Sequence, residues 1–567
     1  MQNIFLDIGI IIIMAGVGAY IARILKQPLI PAYIIMGILL GPVFHVVTDK
    51  SIISSLSEIG IAFLLFSVGL ELDLKKLKEI GSVATVGGLI HMGILFAISH
   101  IIFMVLGYNN ITSIYIGLIM MFSSTLVVVK LLSDKSELDT LHGRIIIGIL
   151  LMQDIVAIIA ISMLNSIGTP GFAPILIMFI KGLLVFFVGL ALAKIVFSAV
   201  FRFAAKSDEL LFIFSIMIMF FFTVIYYYIG FSIVIGAFIA GLLLGSLPYN
   251  LEIIGEVKGI KEFFAVIFFV SIGLTLIPVN IKNIIIPLIA TLVVTIIILP
   301  IVTIFVLALF GYKKRTAFFT SMSLAQVSEF SLILVAIGFN KGQISADIFS
   351  LTIILAIITL GLTAYLINFN DKLYQLIGRH ITWFEKLNKS NKELQNLSYV
   401  EEGTKHKVVL VGYDRIGYSI LQKLRRMKKN VIVIDLNPDV IKKLIAQRIP
   451  CIYGDIGDLE ILQRVRLENV ELVISTIPNH QDSLLLIQKV REISPEATVI
   501  VTSYTAENAL ELYNKGADYV IVPHFLGGEH ISLILEDLTT NLSKMLKIKI
   551  KHIKELEERR KRHPHHR

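Results

Sequence analysis

One carboxylate, Asp154, stands inside an apolar run that extends from about Gly143 to Met163. At a rise of about 1.5 Å per residue it lies roughly 15 Å in from Arg144, near the middle of a hydrocarbon core about 30 Å thick. A charge at that depth costs on the order of 3 kcal/mol unless it faces a wet or polar cavity. Intramembrane acids of this kind serve ion and proton pathways, so Asp154 is read as holding a cation and a proton in turn. The plainer alternative is a structural carboxylate, paired or protonated in a helix interface. The adjacent Gln153 either orients such a site or bonds a neighbouring helix.

Two further polar islands interrupt apolar runs. Phe122-Ser123-Ser124-Thr125 and Val327-Ser328-Glu329-Phe330 both fall in mid-span. Their hydroxyls can bond back to their own helices. They also suit discontinuous helices, whose freed backbone groups and half-helix ends bind ions. Ser123, Ser124 and Thr125 are therefore candidate ligands beside Asp154. Glu329 is either a ligand or a compensating charge at a positive half-helix end, and the second role is favoured.

A third constellation lies near the C-terminus. Gly412-Tyr-Asp-Arg-Ile-Gly417 follows the strand-like Val408–Val411, and Asp435 ends the next strand. This is the context of a nucleotide-binding glycine turn with an acid for ribose hydroxyls. Asp414 replaces the second glycine, and its side chain opposes close approach of a pyrophosphate. An adenine nucleotide is expected, AMP or ATP or NAD(H), with Arg415 as a phosphate partner and Gly454 and Asp455 flanking the adenine. The alternative is a Rossmann unit kept only for dimerisation and force transfer. No Cys/His metal spacing, no nucleophile elbow and no Thr-Val-Gly-Tyr-Gly filter occurs, so neither an enzyme nor a potassium channel is indicated.

The elements that hold these residues follow from composition. Of 567 residues 56% are hydrophobic, above a globular average, so a purely soluble chain is excluded. The apolar residues concentrate before residue 370. The expected domains are a membrane domain 1–370, an amphipathic linker 371–404 carrying Trp383 and Phe384, a Rossmann-like domain 405–546 and a basic tail 547–567. The first apolar run lacks a basic leader and is expected to be retained. The net charge of +9 is assigned to loops and tail facing anionic lipid, not to nucleic acid. A single cysteine, Cys451, excludes an internal disulfide.

Thirteen spans are expected, near 4–25, 28–47, 51–71, 82–106, 110–132, 143–165, 173–202, 208–229, 231–247, 261–278, 282–311, 315–340 and 344–370. Basic residues crowd alternate loops, such as Arg23 and Lys26, Lys135 and Arg144, or Lys258 and Lys261. The opposite loops hold little beyond Lys50, Lys282 and Lys341. The N-terminus is thus expected outside and the C-terminus in the cytoplasm. An internal repeat supports the count. Gly37-Ile-Leu-Leu-Gly41 precedes Gly69 as Gly241-Leu-Leu-Leu-Gly245 precedes Gly273. The copies are seven spans apart, an odd number, so the second is inverted. In the same register Thr125 corresponds to Glu329. Beyond the linker, strands near 408–411, 431–434, 450–453, 471–475, 498–502 and 518–522 alternate with helices, as in a doubly wound sheet.

These residues resemble the Kef-type branch of the monovalent cation–proton antiporters. The resemblance rests on Pro28–Pro42, Ser123–Thr125, Gln153-Asp154, Gly236–Gly241, Phe268–Gly273 and Ala325–Phe330. The C-terminal part is similar to the RCK, or TrkA-N, module. The resemblance implies a homodimer in the plasma membrane and crossed helices five and twelve in a moving core. It also implies K⁺ or Na⁺ exchange for H⁺ at Asp154, regulated by a nucleotide in the cytoplasm. K⁺ is favoured because the attached module is usual in potassium handling. Span eleven lacks the mid-span basic residue that some relatives carry, so no lysine is expected to neutralise Asp154 and exchange is expected to be electroneutral. A full second RCK subdomain is not expected. The rival expectations are a ligand-gated channel-like efflux system and a membrane-tethered NAD-dependent redox sensor.

Overall fold

The computed structural model describes residues 4–47, 51–71, 82–135, 137–138, 140–166, 172–276, 281–312, 314–378, 398–399, 406–413, 415–454, 456, 461, 464–465, 467–477, 479–523 and 525–526. The chain divides into a helical membrane unit and a C-terminal α/β unit.

In the membrane unit, helical segments occupy each of the thirteen expected spans. By length and composition eight described helices suffice to cross a membrane, or nine when Lys314–Leu324 and Glu329–Asn340 count as one bent span. Leu29–Val43 and Ile233–Gly245 are shorter apolar helices. Among the described residues, four spans carry a single π turn, at Leu39–Val43, Val83–Gly87, Ala193–Phe197 and Val294–Ile298. Span ten differs from expectation. Its helix is continuous from Asn250 to Leu274, so Lys258 and Lys261 belong to the helix and not to a loop. The charged first half had concealed it from a reading based on hydropathy.

The internal repeat is realised in the packing. A Cβ placed on Gly37 would lie 2.1 Å from Val270 O, and one on Gly241 would lie 2.1 Å from Phe66 O. Gly37 and Gly241 are 204 residues apart, and so are Phe66 and Val270. The same offset relates Gly41 against Leu274 O at 2.9 Å to Gly245 against Leu70 O at 2.8 Å. Helix 29–38 therefore crosses helix 250–274 as helix 233–245 crosses helix 51–71. Each copy packs on the other, and glycine lets the backbones approach closely where apolar lipid supplies no drive for association.

The two polar islands are breaks between half-helices. Asn110–Met120 and Thr125–Asp134 flank the first, and Lys314–Leu324 and Glu329–Asn340 flank the second, with a bend of 40°. Ser124 and Ser328, again 204 residues apart, are the N-caps. Their hydroxyls accept from Val127 N and Phe330 N. A capping serine supplies the acceptor that a helix start lacks.

The C-terminal unit is a seven-stranded sheet of β1 (Ser398–Tyr399), β2 (Val408–Val411), β3 (Val431–Asp435), β4 (Cys451–Tyr453), β5 (Leu472–Ser475), β6 (Thr498–Thr502) and β7 (Tyr519–Ile521), in the order β1-β4-β3-β2-β5-β6-β7. The last six are parallel and wound as a dinucleotide-binding fold, with the switch point between β2 and β5. The strands β2 and β3 are apolar and buried on both faces, as parallel strands require. β1 was not foreseen. It lies inside the expected linker and pairs antiparallel with β4. Two residues are too few for a strand pattern to be read. Trp383, Phe384, the expected helix after Pro523 apart from residues 525–526, and the tail 547–567 lie outside the described residues.

Candidate ion site and nucleotide turn

The two breaks face each other, and each satisfies the backbone groups that the other frees. Ser328 N donates to Phe122 O at 3.1 Å, and Ser123 Oγ donates to Leu324 O at 2.8 Å. Gln326 Nε2 donates to Ser124 O at 3.3 Å, and Ser331 Oγ to Ile119 O at 2.7 Å. Unwound backbone in a membrane persists only with such partners or beside a cavity.

Asp154 sits on helix Leu141–Ser166 beside this crossing, only 3% exposed. Thr125 Oγ1, in the first turn of its half-helix, lies 3.1 Å from both Asp154 carboxylate oxygens. Gln153 Oε1 accepts from Ser123 N at 2.9 Å, which ties span six to the first break. Of the three hydroxyls named from sequence, only Thr125 reaches Asp154. Ser123 spans to the second break, and Ser124 caps its own half-helix.

Glu329 occupies the first position of its half-helix. Its carboxylate accepts from the Ser328 hydroxyl at 3.4 Å and lies near Ser124 and Leu126 at the start of the other half-helix. Set at the start of its own half-helix and close to the start of the other, the acid compensates their positive ends. Asp154, Thr125 and Glu329 line one cavity together with Glu71 and Lys261. Neither Glu71 nor Lys261 was singled out from sequence, where both read as residues near span ends. Span eleven has no charge between Lys282 and Tyr312, and it is span ten that supplies an ammonium to the cavity, paired there with Glu71.

In the C-terminal unit, Gly412 leaves β2 with φ +84°, a backbone that favours glycine, and an added Cβ would lie 2.6 Å from Thr476 Oγ1. A Cβ on Gly417 would lie 2.0 Å from Gly412 O, so the helix Arg415–Arg426 starts tightly against the turn. Asp435 Oδ2 accepts from Tyr413 N and Oδ1 from Asn437 N, both at 2.8 Å. The acid therefore pins the turn. Gly454 closes against Asp435 through its N–H, which donates to Asp435 O at 3.1 Å. Asp414 and Asp455 lie outside the described residues, and Arg415 is described only as the first residue of its helix. Thr476, at the end of β5 across the switch point, was missed. Its hydroxyl donates to Gly412 O at 3.0 Å. Its place after a central parallel strand was the available signal.

A broken-helix crossing with a buried carboxylate, built from an inverted repeat, defines a secondary transporter of the cation–proton exchange class. Residues 9–368 match the transmembrane sodium/hydrogen exchanger family, and residues 408–523 match the TrkA-N domain. The chain belongs to that exchanger family and is a multi-pass membrane protein with a TrkA-N domain attached. It is 25% identical to YbaL of Escherichia coli (strain K12), whose name marks it as a candidate cation/proton antiporter, over 90% of this chain and 93% of that one. It is also 25% identical to the glutathione-regulated potassium-efflux system protein KefC of Escherichia coli O6:K15:H31, over 86% and 77% of the two chains. The sodium proton antiporter MjNhaP1 of Methanocaldococcus jannaschii shares its fold at a TM-score of 0.51 and 18% identity, covering 67% of this chain and 97% of that structure.

Proposed function

We propose that the chain exchanges a monovalent cation, K⁺ in preference to Na⁺, for H⁺ at Asp154. The carrying observation is the buried Asp154 carboxylate, hydrogen-bonded by Thr125 at the crossing of two broken helices. Proton and cation compete for that carboxylate. Protonated, it is neutral and releases the cation. Deprotonated, it binds the cation with oxygens from Thr125 and the unwound backbone. Glu329 holds the two half-helices together by compensating their ends. Competition for one acid couples the two fluxes with no net charge moved. The preference for K⁺ is supported by the potassium-efflux names among the relatives.

In this reading thirteen crossings place the N-terminus outside and the TrkA-N domain in the cytoplasm of a plasma-membrane homodimer. An adenine nucleotide at Gly412, Gly417 and Asp435 regulates transport, consistent with the switch-point turn and the match to TrkA-N.

In sealed vesicles carrying Asp154→Asn, cation-driven proton flux should vanish while the purified protein keeps its elution profile and melting temperature. Persisting flux would refute the assignment. Running the wild type with K⁺ and with Na⁺ in turn sets the preference.

A further inference from the structure

The cavity beside Asp154 is lined by three acids and, among the described residues, by one base. Asp154 and Glu329 come from the crossing, and Glu71 from the end of helix 51–71. Lys261 comes from helix 250–274, with its side chain only 15% exposed. Lys261 Nζ donates to Glu71 Oε1 at 3.3 Å, and the same oxygen accepts from Ser67 Oγ at 2.9 Å. Glu71 itself is about half exposed, so the pair sits at the open side of the cavity.

We infer that Lys261 is a tethered competitor of the transported cation, parked on Glu71 and able to turn its ammonium towards the acids at the crossing. A lysine ammonium is a compact point charge with three donors on a flexible four-carbon stem. It presents to a carboxylate the same charge as K⁺ or Na⁺. Glu71 and Ser67 hold it on the helix-three side, which leaves Asp154 open to a free cation. The strength of that hold sets how much cation is needed to fill the site. Lys261 thus tunes apparent affinity, and Glu71 acts through it as a positioning residue. This rests on the proposed role of Asp154.

The two substitutions have opposite signs. Lys261→Met removes the competitor and should lower the KM for K⁺ at least about fivefold, the lower end of couplings between interacting sites. Glu71→Gln releases the ammonium from its parking place and should raise the KM by a similar factor. In the double variant Glu71→Gln with Lys261→Met the rise should vanish, because Glu71 acts only through the lysine. Lys261→Arg keeps the charge and should stay near the wild type. Should Lys261→Met fail to fold, Lys261→Gln carries the same comparison.

KM and maximal rate are read from K⁺-driven proton flux in sealed vesicles of full-length protein. An unchanged or lowered KM in Glu71→Gln overturns the inference. So does a rise that persists in the double variant, which would make Glu71 a cation attractor in its own right. Asp154→Asn in the same vesicles separates the two readings. Flux retained there refutes the site, whereas flux lost there with an unmoved KM at Lys261 refutes only the tethered competitor.

Discussion

Replacing Gly37 or Gly241 by alanine should destabilise the membrane unit by nearly the same amount, although the two lie in different helices. Each new methyl would sit 2.1 Å from a backbone carbonyl oxygen, Val270 O or Phe66 O, about 1.3 Å inside the 3.4 Å at which ordinary contact begins. The neighbour is helical backbone, so it cannot rotate aside, and the crossing helices must separate. Overpacking of this kind costs about 1–3 kcal/mol. Alanine's better helix propensity returns at most about 1 kcal/mol. With a backbone neighbour that cannot shift, the cost falls at the upper end of that range, and the net loss is about 2 kcal/mol at each site. The double substitution should cost about the sum, since the two crossings share no residue. Gly9→Ala, with nothing within 4 Å, is the control and should be neutral or mildly stabilising. The assay is thermal melting of detergent-purified protein, scored by the fraction that remains monodisperse, with each single variant expected a few degrees below the wild type. A loss at one site with none at the other would refute the equivalence of the two crossings. Silence at both would refute their close approach.

Gly412→Ala should abolish any rise in melting temperature that adenine nucleotides give the wild type. It forces a side chain into φ +84° and towards Thr476 Oγ1, while the β2 pairing that carries the fold is untouched. A wild-type ligand response in that variant would disprove the switch-point site. Asp518 gives a pH test outside the membrane. Burial pushes its carboxyl up, but the Val499 N–H and the Arg491 guanidinium outweigh burial and hold it below the usual range. A depressed folded value stabilises above the unfolded value of about 4 and is lost as pH falls through the folded one. Melting of the wild-type TrkA-N transition should therefore decline on acidification below about pH 4, and Asp518→Asn should flatten that part of the decline. Identical slopes in the two proteins would remove the group from the account.

Much of the site was legible because chemistry at membrane depth is sparse. An acid in an apolar run, two polar islands and a glycine repeat stand out against Leu, Ile and Val. Their register along the chain already paired Thr125 with Glu329 before any contact was known. The glycine turn and its distant acid were legible for a similar reason: Gly412 and Asp435 each close a short apolar strand. What stayed hidden were residues whose meaning depends on a neighbour from another span. Lys261 read as a loop charge, Glu71 as a residue near a span end, and Thr476 drew no reading.

The sequence alone determined the division into a membrane unit and an α/β unit, the inverted repeat, the candidate carboxylate and the nucleotide turn. All of these are written in local composition and in spacing along the chain. Only the tertiary structure decided that Thr125, and not Ser123 or Ser124, reaches Asp154. It also decided that Glu329 lies close to the starts of both half-helices, and that an ammonium from span ten shares the cavity. These facts depend on which faces of separate helices meet. At the two glycine crossings, for example, Gly37 meets Val270 and Gly241 meets Phe66, 233 and 175 residues apart in the chain, separations that no local pattern bridges.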